Sequence, residues 1–108
     1  MTLEKVEKFR RLVEQNPGNE LARFSLGTSL VAVLQHEEAE KHFAAALESK
    51  PDWVMAYIYR ARCLIHLGNH RLAREMLLRG REHSIAQRHD SPVQEIDALL
   101  LELPSSDD

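Results

Sequence analysis

The sequence predicts an all-α fold: an open, right-handed α-α superhelix of stacked antiparallel helical hairpins, with a capping helix at each end. Three observations predict it. Sliding the 108-residue chain by 34 positions sets Pro17 on Pro51, Ala22 on Ala56, Gly27 on Ala61, Leu30 on Leu64, Val31 on Ile65, Ala39 on Ala73 and Phe43 on Leu77. Within each unit the apolar residues recur at spacings of three and four, as in Leu26, Leu30, Val33 and Leu34, and again in Ala39, Phe43, Ala46 and Leu47. That is the period of one helix face. Finally, "EQNPGN" and "ESKPDW" each place a proline after a helical segment and a residue of capping type, Asn19 or Asp52, just behind it. Proline has no N–H to donate and its ring clashes with the preceding turn, so it ends one helix before the next begins.

The elements follow in order. Residues 3–16 form a capping helix, with Leu3, Val6, Phe9, Leu12 and Val13 on one side. The first hairpin spans 20–51 and breaks at Gln35–His36. The second spans 54–87, and its "LGN" offers Gly68 as a left-handed stop and Asn69 as the next N-cap. The small residues Gly27 and Ala61 should face Ala39 and Ala73 across their hairpins. No third proline stands at Ile85, so the last hairpin helix should run on to about His89. Residues 92–103 form a second capping helix, out of register with the 34-residue count. It is opened by Ser91-Pro92-Val93-Gln94 in the form of a capping box, with Val93, Ile96, Leu99, Leu100 and Leu103 as its stripe. Residues 104–108, "PSSDD", are expected to be disordered.

Composition narrows the function classes. A charged fraction of 29% and the absence of any long apolar run suit a cytoplasmic, non-membrane protein. Cys63 is the single cysteine, so no internal disulfide forms, and its place on a helix suggests packing. "HEEAEKH" is not H-E-x-x-H, and Gly68 and Asn69 interrupt the helix between His66 and His70. No metal site, no cofactor and no catalytic motif is expected, so the chain does not read as an enzyme. Charge is divided along the chain. Seven arginines and two glutamates lie between Val54 and His89, whereas six acids and no base follow from Asp90 onward. The acidic end should therefore dock on the arginine-rich hairpin.

Leu26-Gly27-x2-Leu30, Ala39-x3-Phe43, Ala46 and Pro51, followed by Tyr57-x2-Arg60-Ala61-x2-Leu64, Ala73-x3-Leu77 and Gly80, resemble the tetratricopeptide repeat, a helix–turn–helix of 34 residues. The resemblance covers 20–87 as two units and 3–19 as half of a preceding one. Arg23 departs from it where a bulky aromatic is usual, and Arg60 where leucine is usual. The resemblance implies a non-catalytic protein–protein interaction module whose concave face, lined by the first helix of each repeat, takes a peptide or an amphipathic helix. The matching positions are Leu21, Phe24, Thr28, Val31, Met55, Ile58, Arg62 and Ile65. Phe24, Val31, Ile58 and Ile65 would bury apolar side chains of the partner, and Arg62 would orient an acidic or carbonyl group. The mostly apolar face disfavours a charged tail as ligand.

Two alternatives stand beside this reading. The inner face is covered by the chain's own end helix or by a second copy, giving a homodimerising scaffold. Or Arg60, Arg62, Arg71, Arg74, Arg79, Arg81 and Arg88 bind an anion or nucleic acid. The second is disfavoured because aromatic residues are not interleaved with them.

Overall fold

A computed structural model describes residues 2–104. Six helices run through them: α1 (Thr2–Gln15), α2 (Glu20–Ala32), α3 (His36–Ser49), α4 (Val54–His66), α5 (His70–Ala86) and α6 (Asp90–Glu102). Each helix packs on the next in sequence, α2 also touches α4, and α4 also touches α6. The result is two layers, with α2, α4 and α6 inside and α1, α3 and α5 outside. Among the described residues there is no strand.

Local chemistry sets most of the boundaries. Asn19 and Asn69 cap α2 and α5, their side-chain oxygens accepting from the N–H of Ala22 and Leu72. Gly68 ends the α4 turn with φ +81°, and Leu34, 34 positions earlier, holds the same left-handed geometry at φ +64°. Glycine adopts it at no steric cost, whereas leucine brings its Cβ close to the following carbonyl.

Three boundaries differ from expectation. Asp52 is not the cap of α4: Trp53 holds that position, without a side-chain cap, and stacks on Phe24 with ring centres 4.5 Å apart. The expected capping box does not form, because α6 starts at Asp90 with His89 as N-cap and places Ser91 inside the first turn. The helix expected to reach His89 stops at Ala86, where Arg88 turns to φ +60° and the Ser84 hydroxyl donates to the His89 carbonyl. This chain reversal brings α6 back onto α5. Of the expected disordered tail, Pro104 lies against the fold, its carbonyl accepting from Arg74. Residues 105–108 are outside the described residues.

Two interlocked clusters form the core. The first holds Val6, Val13, Ala22, Leu26, Leu30, Ala39 and Phe43 together with Cys63 of α4. The second holds Leu47 of α3 together with Val54, Ile58, Leu64, Met76, Leu77, Ile96 and Leu103. Each hairpin thus lends a side chain to its neighbour's core, which makes the repeats cooperative. Small residues let the helices approach. Gly27 lies against the Phe43 ring, and Gly80 lies against Tyr57, whose Cβ is 3.0 Å from where a glycine Cβ would stand.

Ion pairs stitch the layers. Arg60 donates to Glu40 at 2.8 Å from one hairpin to the other and reaches the Met76 sulfur at 3.1 Å. The arginine at the expected leucine position therefore serves as an inter-repeat tie. Arg23, at the expected aromatic position, donates to the Pro17 carbonyl at 2.8 Å and lies 3.3 Å from Nδ1 of His42.

Candidate functional site

The inner layer carries an open hollow of about 330 Å³, bounded by Val31, His36, Tyr59, Arg62, Cys63, Ile65, His66, Leu99 and Glu102. It lies where the C-terminal halves of α2, α4 and α6 come side by side. Val31, Ile65 and Leu99 stand 34 residues apart in turn and put one aliphatic side chain on the hollow from each inner helix.

The eight positions singled out from sequence divide. Val31, Arg62 and Ile65 line the hollow. Leu21, 66% exposed, and Met55, 37% exposed, open α2 and α4 at the other end of this face. Phe24 is half-buried in an aromatic group, stacked on Trp53 and edge-on to Tyr59 and Phe43 at 5.4 and 5.5 Å. Thr28 donates its hydroxyl to the Ser25 carbonyl at 3.0 Å.

Ile58 is the correction. It is 1% exposed and belongs to the second core cluster with Ile96 and Leu103. Because α6 occupies the next inner position in the stack, its apolar stripe seals the side of α4 that carries Ile58. Ile58 therefore offers no surface to a partner. Arg62 is likewise engaged, donating to Glu95 of α6.

Tyr59, Leu99, His36, His66 and Glu102 were not expected at this site. Leu99 had a signal, since it continues the spacing of Val31 and Ile65. The histidines had none. His36 opens α3 and His66 closes α4, and the stacking of the hairpins brings their rings face to face, 4.2 Å apart and 10° from parallel. Burial, and then the neighbouring His66, hold His36 below the ordinary imidazole pKa. Burial, with a smaller contribution from Glu40, pushes the Cys63 thiol up to about 11. It is a thiol at neutral pH and has no thiolate to offer as a nucleophile. Among the described residues no group of three or more His, Cys, Asp and Glu is placed to hold a metal ion. No helix there is long and apolar enough to cross a membrane.

Ion pairs engage several arginines of the second hairpin. Arg60 pairs with Glu40, Arg62 with Glu95, Arg79 with Glu75 and Arg81 with Asp97. The Glu95 and Asp97 pairs join the basic hairpin to the acidic α6.

This two-layer stack of helical hairpins is the tetratricopeptide-repeat fold. Solved structures of that fold superimpose on it. The TPR2B domain of yeast Sti1 in complex with pHsp70 matches 87% of this chain over 75% of its own, with TM-score 0.80 and 24% identity. The TPR2AB domain of yeast Sti1 in complex with pHSP90 matches 87% of this chain with the same TM-score and identity, and this chain spans 36% of its length. MamA MSR-1 C2 matches 76% of this chain over 47% of its own, with TM-score 0.72 and 26% identity. No protein-family model and no curated protein sequence matches the chain.

Proposed function

We propose that the chain is a non-catalytic protein-interaction module that takes a peptide or amphipathic helix of another protein along the inner face of α2, α4 and α6. The observation that carries this reading is the open hollow lined by Val31, Tyr59, Ile65 and Leu99 together with the polar side chains of His36, Arg62, His66 and Glu102. Its size suits one or two apolar side chains anchored in a groove. Arg62 and Glu102 also line it, and because Glu95 already pairs with Arg62 these three groups together leave a net negative charge. This favours an apolar anchor flanked by polar groups over an acidic tail. The Sti1 domains in complex with pHsp70 and pHSP90 support the general reading, since they show this fold accepting a protein ligand.

The test is selection of binders from a displayed peptide library on the folded domain, followed by titration of the selected peptides against Ile65→Glu and Leu99→Glu. Both side chains are half-buried and border the hollow. Selected peptides should share an apolar anchor and lose about tenfold or more in affinity with either variant. Peptides that bind both variants as tightly as the parent would place the binding surface elsewhere.

A further inference from the structure

The hollow carries a charge of the opposite sign to the one register suggests. By position Arg62 brings a cation to the inner face, but its guanidinium donates to Glu95 of α6. Glu95, Leu99 and Glu102 stand at spacings of four and three and so share one face of α6. Glu95 is taken up by Arg62, whereas Glu102, at the end of the helix, lines the hollow beside Leu99. Glu102 is exposed, and among the described residues no ion pair engages it. α6 contains no basic residue, so nothing on its own helix offsets this carboxylate.

The other sides of the hollow bring no compensating charge. α2 contributes only Val31, and α4 adds Tyr59, Cys63, Ile65 and His66 to Arg62. Cys63 stays a thiol at neutral pH. His36 of α3 lies flat on His66 with ring centres 4.2 Å apart, and burial, then His66, hold it below the ordinary imidazole pKa. The stacked rings are thus a wall without a fixed charge. What remains is an aliphatic patch of Val31, Ile65 and Leu99 with one uncompensated carboxylate three residues beyond Leu99, about 4.5 Å along the helix axis.

We propose that the segment this hollow takes is basic beside its anchor: an apolar side chain enters between Val31, Ile65 and Leu99, and a lysine or arginine within one helical turn of it pairs with Glu102. This names the partner class of the interaction module proposed above and rests on that reading. The buried anchor supplies most of the affinity, and the carboxylate supplies orientation and discrimination. An exposed ion pair adds only about two- to fivefold to the affinity for a basic flank. An acidic flank meets Glu102 with Arg62 already held by Glu95, so it is opposed rather than merely left unpaired.

The test selects peptides on the folded domain at neutral pH and low salt, from a displayed library unbiased in charge. It then titrates each selected peptide, and a version with glutamate in place of its basic residue, against the parent and three variants. Ile65→Ser removes an apolar contact without adding charge, and Glu102→Gln and Glu102→Lys remove or reverse the carboxylate. Circular dichroism establishes that each variant folds. The selected peptides should carry lysine or arginine close to an apolar anchor. Their affinity should fall about two- to fivefold with Glu102→Gln and about tenfold with Glu102→Lys. The glutamate versions should bind Glu102→Lys more tightly than the parent, a reversal that a merely structural effect of the substitution does not produce. Peptides that weaken with Ile65→Ser but bind the Glu102 variants as tightly as the parent overturn this proposal and leave the interaction module standing. Peptides indifferent to Ile65→Ser overturn both. So does a parent that sediments above 12.4 kDa while Ile65→Ser sediments as the monomer, since the hollow then belongs to a second copy.

Discussion

Gly27 and Phe43 meet so closely that no side chain fits between α2 and α3 at this point: a Cβ on Gly27 would stand 2.6 Å from Cε1 and 2.7 Å from Cζ of the ring. Phe43 is fully buried and Phe24 is edge-on to it, so the ring has little room to move aside. Gly27→Ala adds a single methyl group and improves helix propensity, yet it should destabilise the domain by about 1–3 kcal/mol through overpacking. Chemical denaturation measures it, and a variant as stable as the parent would show that the ring can shift.

Leu34 offers the opposite case. It is exposed and sits at φ +64° in the turn where the second hairpin places Gly68. Relief of its backbone strain outweighs the extra freedom glycine has in the unfolded chain, so Leu34→Gly should stabilise by about 0.5–1 kcal/mol. A thermal melt of the variant should shift upward. A downward shift would mean that the exposed leucine contributes contacts worth more than the strain.

Stability should fall on mild acidification. Burial first, then His66, lower the pKa of His36 from 6.5. Burial is also the main cause lowering His42 from the same value, opposed by its hydrogen bond to Glu38. A histidine lowered in the fold takes its proton first in the unfolded chain, so acid favours unfolding. The stability these two rings contribute is whole above pH 6.5 and drains away as pH falls below it. Glu38, held below its ordinary 4.5 by the Arg10 hydrogen bond, adds a second loss as pH falls through that value and beyond. The melting temperature should be level above about pH 7 and decline below it. His36→Asn with His42→Asn should flatten the upper part of that decline. An equally steep fall in the double variant would assign the effect to other groups.

Removing α6 should cost far more than removing its charges. Truncation after His89 uncovers Ile58 and takes Ile96 and Leu103 out of the second cluster. Loss of one buried isoleucine alone is worth about 2–5 kcal/mol. In a domain of this size each kcal/mol moves the melting temperature by roughly 4–8 °C. Arg81→Ala breaks only the exposed pair with Asp97 and should leave the melt nearly unchanged. A truncated chain that melts with the parent would show that α6 is a passive extension.

The hairpin turns and the asparagine caps were legible because each is written within a few consecutive residues, and the period of 34 because similar residues recur in one register along the chain. Asn19 and Asn69 need only the N–H groups of Ala22 and Leu72, three positions on, to act as caps. The inner face was half legible. Val31, Arg62 and Ile65 follow from register, whereas Leu99 reads as part of the end helix's apolar stripe, although it stands 34 positions after Ile65. Asp52 and Ser91 had the right chemistry for caps, but Trp53 docking on Phe24 and the reversal at Arg88 moved the helix starts away from them.

The sequence by itself determined that the chain is helical, that it counts in hairpins and that small residues stand where helices approach closely, since periodicity and backbone chemistry are local. Only the tertiary structure decided which apolar residues face water. Ile58 and Ile65 lie on the same helix and read alike in sequence, yet one is sealed and the other borders a hollow. The path of α6 separates them. That path is set by how far α5 extends before it reverses at Arg88, and by the long-range contacts that follow, Arg62 with Glu95, Arg81 with Asp97 and Ile96 in the core. Burial is a property of what packs against a side chain, and the packing partner here comes from 30 or more residues away.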